Sequence, residues 1–418
     1  MELFLKINAI IGVIFMLSYL YQFVYIPIAV LKKPDPHRET KRNRYAVLIA
    51  GRNEAAVIGQ LINSLKAQTY PSELLQIFVI ADNCTDNTAE VARNAGAEVY
   101  ERQNKTEIGK GYALDFLIQK INSKYGEDYF DGFMVFDADN IAEPNFVEEI
   151  NKTFSDGYRV VTSYRNSKNF GDNWVSAGNS MWFLRDSQFL NRARMRIHTS
   201  CIVAGTGFLV HRDILKESGG WKYHLITEDT QFTVCQMLKG EKIGYCETAV
   251  FYDEQPVKFR ESWNQRMRWA RGGWYVFRDY GWKLTKKIFT AHSFSCFDMF
   301  MSFFPAMILS ALAMCSNIVA TVLSCIAGRD PLITLASFAG LIGGAYGTFL
   351  IISAITTITE WKRIYCPVWK KILYMFTFPL FMITYIPMPL IAMFKKVEWT
   401  PIAHTRVKNH AEIINADK

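Results

Sequence analysis

Apolar and charged positions are unevenly divided along this 418-residue chain. Segments 7–31, 299–328 and 331–359 contain no Asp, Glu, Lys or Arg, and each exceeds the roughly 20 residues a helix needs to cross a hydrocarbon core. A fourth uncharged stretch, 372–394, is interrupted by Pro379, Pro387 and Pro389 and is basic at both flanks. Its prolines and its lack of a charge bias predict an interfacial or re-entrant segment, leaving three true spans. Charge concentrates from Lys32 to about His292, a stretch of ordinary domain size.

Inside that charged region, short β-branched runs alternate with helical periodicity. Residues 45–50, 76–81, 98–101 and 133–136 read as strands. Residues 54–67, with Val57, Ile58, Leu61, Ile62 and Leu65 on one face, read as a helix, as do segments near 87–95 and 112–121. Further helices are expected over 174–194, 230–238 and 260–280, with a loop at 166–173 and a tight outer turn at 327–330. Strands separated by helices of this length predict an α/β domain with a mostly parallel sheet. Ligands collect beyond the carboxyl ends of such strands. The polar turns 51–54, 82–86 and 137–139 should therefore converge on one edge.

Composition changes this picture in three places. Half the residues are apolar and mean hydropathy is +0.03, as expected if spans and a polar domain share one chain. The first apolar segment is about twice the length of a signal-peptide core, and Lys32, Lys33, Arg38, Lys41, Arg42 and Arg44 follow it. Basic flanks favour the cytoplasmic side, so a cytoplasmic domain on a multi-pass plasma-membrane protein is expected, with the C-terminus also inside. The net charge of +8 gathers at membrane flanks such as Lys362, Arg363, Lys370, Lys371, Lys395 and Lys396; anionic lipid accounts for it, and nucleic acid is not expected. Eight cysteines without a C-x-x-C pair read as reduced packing thiols. The expected organisation is a transmembrane helix (1–31), a catalytic domain (32–254) and interfacial amphipathic helices (255–292). Two transmembrane helices (293–359), the interfacial segment (360–396) and a cytoplasmic tail (397–418) complete it.

The candidate chemistry lies in four motifs. Asp137-Ala138-Asp139 sets two carboxylates in a turn after a buried strand. Mg²⁺ takes one or two carboxylates together with substrate phosphates, though acidic residues also serve turns locally. In Asp82-Asn83-Cys84-Thr85-Asp86, Asp82 reads as ligand-facing and Asp86 as a helix cap. Lys110, between two glycines, suits a phosphate contact or a solvated surface. Thr227-Glu228-Asp229 suits either a helix start or a general base, and local sequence does not separate them. Gln265-Arg266-Met267-Arg268-Trp269 lies in an Arg- and Trp-rich stretch fit for a membrane interface. Arg forks also bind diphosphate and indoles stack on sugars, so both roles can coexist there.

This order of motifs between membrane helices resembles the family 2 glycosyltransferases over roughly residues 1–406, and is similar to the membrane-embedded branch holding cellulose, hyaluronan and poly-N-acetylglucosamine synthases. The resemblance implies a GT-A (Rossmann-like) fold. It implies donor binding by Glu54, Asp82, Lys110, Asp137, Asp139, Gln265 and Arg268, with Mg²⁺ or Mn²⁺ held by Asp137 and Asp139. Asp229 would be the general base, with Glu228 and Arg268 beside it in the catalytic set. Gly205, Thr206 and Trp269 would line the acceptor site, together with Trp399 of the tail. In the tail, Trp399-Thr400-Pro401 stands where hyaluronan-type synthases have Trp-Gly-Thr-Arg; Trp399 is either a gating residue or an interfacial anchor.

The implied reaction is an inverting, metal-dependent hexosyl transfer from a UDP-sugar to a saccharide or lipid acceptor. A processive synthase of a β-linked exopolysaccharide is the leading expectation, and single-sugar transfer to a membrane lipid the alternative. Three spans make a meagre channel, so a polymerase would need a homo-oligomer or an accessory subunit. Outside the class, an inactive nucleotide-sugar sensor or scaffold is opposed by the intact Asp137, Asp139, Asp229 and Arg268.

Overall fold

The computed structural model describes residues 2–328, 332–395, 404 and 406–415. Eight strands form one sheet: β1 (Tyr45–Gly51), β2 (Leu75–Asp82), β3 (Glu98–Arg102), β4 (Gly132–Asp137), β5 (Ile141–Ala142), β6 (Val160–Ser167), β7 (Phe208–His211) and β8 (Ile243–Asp253). Their order is β3-β2-β1-β4-β7-β6-β8-β5. β1, β2, β3 and β4 are mutually parallel, and β6 is parallel to β8. β7 is antiparallel to both β4 and β6, so it reverses direction twice over and leaves β6 and β8 pointing the same way as β1. The carboxyl ends of six strands, β1, β2, β3, β4, β6 and β8, thus point to one edge. This is the mostly parallel, Rossmann-like arrangement expected, with β7 and the short β5 as the antiparallel exceptions.

The central strands read as continuous apolar runs because helices cover both faces. Alternation sorts their side chains: Ala46, Leu48, Phe78, Ile80, Phe133 and Val135 enter one core cluster. Tyr45, Val47, Ile49, Val79, Met134 and Phe136 enter the other. Register then aligns the strand ends, with Gly51 opposite Ala81 and Ala50 opposite Asp137. The helix expected from residue 54 starts later, at Ile58. Asn53 takes a positive φ of 59°, and the turn it makes points Glu54 to the sheet edge rather than into the helix. The helix expected over 174–194 is broken by a π-turn, Asp186–Asn191, between Trp174–Arg185 and Arg192–Arg196.

Among the described residues, four helical runs are long and apolar enough to cross a membrane: Leu3–Leu31, Phe294–Ile326, Leu335–Thr359 and Val368–Phe394. The last is two helices, Val368–Ile383 and Met388–Phe394, interrupted where Pro387 falls. The first three hold one another through polar side chains. Asn8 donates to Asn317 Oδ1 (3.0 Å) and Ser337 Oγ (2.9 Å), and Tyr19 Oη accepts from the Ala306 amide (3.0 Å). The Arg- and Trp-rich stretch is one 32-residue helix, Phe259–Thr290. It lies tightly against the Thr227 loop, because any side chain at Gly272 would strike Thr227. That close approach brings Arg268 beside Glu228.

Candidate functional site

A single cavity of about 1500 Å³ runs from the sheet edge into the membrane helices. Glu54, Asp82, Lys110, Asp137, Asp139, Gly205, Glu228, Asp229, Gln265, Arg268 and Trp269 all line it. Thus the motifs from distant parts of the chain share one space. Asp137 and Asp139 are positioned by the turn after β4. The Asp137 amide donates to Thr206 Oγ1 (2.9 Å), and the Glu254 amide donates to Asp139 Oδ2 (2.9 Å). Lys110 makes an ion pair with Asp137 and donates to the Gly205 carbonyl (2.7 Å). Gly205, at φ 81°, lies so close to Asp229 that an added Cβ would sit 3.3 Å from Asp229 Oδ2. A continuous chain of contacts, Asp137 to Lys110 to Gly205 to Asp229, therefore joins the acidic turn to the candidate base.

The carboxylates differ in electrostatics. Burial opposes ionisation of Asp139, but His404, Lys168 and the Glu254 amide outweigh it and hold the carboxyl below its usual range. Burial first, and then the charge of Asp229, pushes Glu228 up to about 7. Burial likewise raises Asp229, against the Thr230 amide, which donates to its Oδ1 (2.7 Å), and the charge of Lys110. Raised pKa values in a cleft suit groups that must take protons near neutrality.

Among the described residues, no three His, Cys, Asp or Glu side chains come together as a metal cage. The donor set still fits a hard divalent cation, because Asp137 and Asp139 supply two carboxylates at the open cavity and a diphosphate supplies the rest.

The two arginines of the 265–269 motif divide the work. Arg266 is fully buried: it donates to Thr384 Oγ1 (2.6 Å) and packs on the rings of Phe381 (4.3 Å) and Tyr385 (4.7 Å). It clamps the helix Phe259–Thr290 to the segment 368–394. Arg268 lines the cavity with no ion pair among the described residues, so its fork is available to an anion; burial lowers its pKa. Gln265 Oε1 is buried without a hydrogen-bond partner. Trp269 stands edge-on to Phe183 at 6.0 Å.

Some expected residues stand differently. Asp82 lines the cavity, but its Oδ1 accepts from buried Arg102 (2.7 Å), so part of its charge is already matched. The N-cap of the helix Thr88–Asn94 is Asn87 and not Asp86, which stands one residue earlier and accepts at Oδ1 from the Thr88 amide (3.0 Å). Thr206 is buried away from the cavity; its hydroxyl donates to Asn140 and braces the acidic turn. It supports the site from behind instead of lining it. Trp399 lies outside the described residues.

Residues that sequence reasoning missed include His404, Arg165, Asp253, Arg185 and Asp186, all lining the cavity. His404 Nδ1 meets the Glu54 carboxylate at 3.0 Å. Burial opposes its charge, but Asp139 and Glu54 push it up to about 10. Only the carboxyl-end rule, applied to β6 and β8, could have found Arg165 and Asp253; those strands were not legible as strands.

Residues 42–272 match the model of the family "Glycosyltransferase like family 2". Probable glycosyltransferase YdaM of Bacillus subtilis is 28% identical over 292 residues, 64% of this chain and 64% of its own length. Beta-monoglucosyldiacylglycerol synthase of Synechocystis is 26% identical over 261 residues, covering 58% of this chain and 52% of that protein. Poly-beta-1,6-N-acetyl-D-glucosamine synthase of Staphylococcus aureus is 26% identical over 282 residues, 65% of this chain and 63% of that protein. These matches thus span less than two thirds of the relatives' own length. A solved mannosyltransferase of Pyrobaculum calidifontis, in complex with GDP-Man and Mn²⁺, superposes with a TM-score of 0.60 at 16% identity. It covers 94% of this chain and 100% of its own, so the two share a fold.

Proposed function

The chain belongs to the family 2-like glycosyltransferases, and on that premise we propose that it transfers a sugar from a UDP-sugar to a hydroxyl of a membrane lipid, with inversion at the anomeric carbon. One observation carries the choice of acceptor. Beyond the carboxylates, the cavity continues between the membrane helices along a wall of Ile11, Phe15, Phe303, Leu309, Leu341 and Ile352. Acyl chains gain by burial there, at roughly 25 cal/mol per Å². A polysaccharide would instead bring hydroxyls that this wall leaves unpaired, at about 1–3 kcal/mol for each.

The residues then take the following roles. Asp229 removes the proton of the acceptor hydroxyl as its oxygen attacks the anomeric carbon, and the bond to the diphosphate breaks on the opposite face. Arg268, which lines the cavity with no ion pair among the described residues, stabilises charge on the departing diphosphate. Asp137 and Asp139 would hold Mg²⁺ or Mn²⁺, which when bound supplies further stabilisation of that charge. Lys110, shared between Asp137 and Gly205, keeps donor and base in register. The basic residues among 32–44, which follow the first apolar helix, support a cytoplasmic site at the plasma membrane.

A processive synthase is the second reading. Trp182, Trp269 and Tyr385 at the mouth offer faces for sugars, and relatives named poly-beta-1,6-N-acetyl-D-glucosamine synthases match this chain. Membranes containing the protein, given a panel of radiolabelled UDP-sugars with Mg²⁺ or Mn²⁺, separate the two. Label that partitions into organic solvent as a small glycolipid is expected; label in a large water-soluble or insoluble polymer overturns the lipid reading.

A further inference from the structure

Between the charged sheet edge and the apolar membrane half, the cavity passes a polar collar. Gln22 comes from the N-terminal helix Glu2–Leu31, Arg185, Asp186 and Arg194 from the broken helix, and Ser302 from the helix Phe294–Ile326. The π-turn that begins at Asp186 is what sets this collar. It inserts an extra residue into the helix, so that Asp186, Phe189 and Leu190 all reach the cavity. Nothing in the transfer chemistry above uses these residues. They stand where the head of a lipid would lie if its chains ran down between the membrane helices and its hydroxyl reached Asp229.

The collar's cations are already matched. Arg185 donates to Gln22 Oε1 (2.7 Å) and to Asp186 Oδ1 (3.2 Å). Arg194 donates to Asp298 Oδ2 (2.5 Å) and to Ser302 Oγ (2.9 Å). Arg165, on the sheet side, donates to Asp253 Oδ2 (2.6 Å) and the Ala204 carbonyl (3.0 Å). Arg268 at the donor end has no such carboxylate among the described residues. One cavity thus holds two kinds of arginine: an uncommitted one where a diphosphate belongs, and committed ones at the collar. Asp186 keeps its second oxygen without a hydrogen bond among the described residues, and about a third of its side chain (34%) is exposed. A phosphate placed beside it would set like charges together in a poorly solvated space, where the collar's own arginines are already paired with carboxylates. A hydroxyl would instead donate to that oxygen.

We propose that this collar selects an uncharged, hydroxyl-bearing lipid head, of the glycerol or sugar-headed kind, against a phosphate-headed one. Asp186 is the specificity-determining residue, accepting a hydrogen bond from the head. Arg185 is a positioning residue that holds Asp186 in place while Gln22 orients it from the neighbouring helix. The inference rests on the lipid-acceptor reading of the same cavity.

The test is native mass spectrometry of the full-length protein in detergent, offered dioleoylglycerol and a polyprenyl phosphate in equal amounts. The wild type should retain dioleoylglycerol in preference by about tenfold, the ratio that ~1.4 kcal/mol of discrimination gives. Asp186→Asn should lose most of that preference while binding UDP as before. Ser302→Lys, which adds an unmatched cation to the collar, should move retention toward the phosphate lipid and keeps the test open if Asp186→Asn does not fold. Preferential retention of polyprenyl phosphate by the wild type, or ratios unmoved by both substitutions, overturns the collar proposal. Retention of neither lipid, with sugar label appearing in a polymer, overturns the lipid-acceptor reading itself.

Discussion

The two halves of the cavity are built by opposite means. At the sheet edge, strand register places charges: Asp82, Asp137, Arg165 and Asp253 sit at or beside the ends of β2, β4, β6 and β8, because those strands run the same way. In the membrane half, helix packing places almost none, and small or apolar side chains such as Gly12, Ala306, Leu341 and Gly344 form the wall. The difference teaches where each part of the reaction finds its energy. On the proposed lipid-acceptor reading, charge development is handled in a rigid frame where reorganisation is small, and the acceptor is held by apolar burial, which is undirected and tolerant of chain length.

The largest expected effect breaks the charged half. Asp229→Asn should lower turnover by about 10²–10⁴-fold with UDP binding intact, measured by transfer rate and donor titration. Turnover near wild type would remove Asp229 from the base role. Next, Arg268→Lys should lower kcat by about 10²-fold, because a point charge replaces a planar fork at the diphosphate. An effect confined to the acceptor KM would move Arg268 to the other half.

The membrane half is probed by Gly344→Phe. A Cβ there meets nothing within 4 Å, so the ring can fill the cavity without straining the helix. The lipid KM should rise about tenfold, ~1.4 kcal/mol, while the donor KM stays put. Equal changes in both constants would show that the halves are not separable. The smallest effect is in the pH profile. Asp229 is raised above its ordinary value by burial, so its basic form is lost as pH falls through that raised pKa. The acid limb of kcat/KM should therefore lie above 3.8, and Lys110→Met should move it upward by removing a positive charge that holds Asp229 down. A limb at the ordinary aspartate value would place the base in a solvated setting and contradict the buried pair.

The helix Phe259–Thr290 shows how far the chain is legible. Its Arg and Trp content marked the segment, and only the family resemblance gave Arg268 a role and Arg266 none. They lie two residues apart on a helix and so face different sides. Both reach the cavity wall, but Arg266 is fully buried against Phe381 and Tyr385 while Arg268 is half-buried. Thr206 teaches the same lesson: beside Gly205 in sequence, it turns behind the acidic turn. His404 had no local signal, being more than two hundred residues from Asp139 in sequence, and only the fold brings them together.

What the sequence determined by itself follows from short-range physics. Runs without charge must leave water, continuous β-branched runs must be covered on both faces, and acidic turns at strand ends must gather at one edge. That was enough for the α/β class, three of the long apolar helices and the shared edge of Asp82, Asp137 and Asp139. Tertiary structure alone decided which cations are committed and which are free, since pairing depends on distances between side chains far apart in the chain. Arg194 with Asp298, Arg165 with Asp253, and Arg268 with neither are facts of packing, and the collar proposal rests on them.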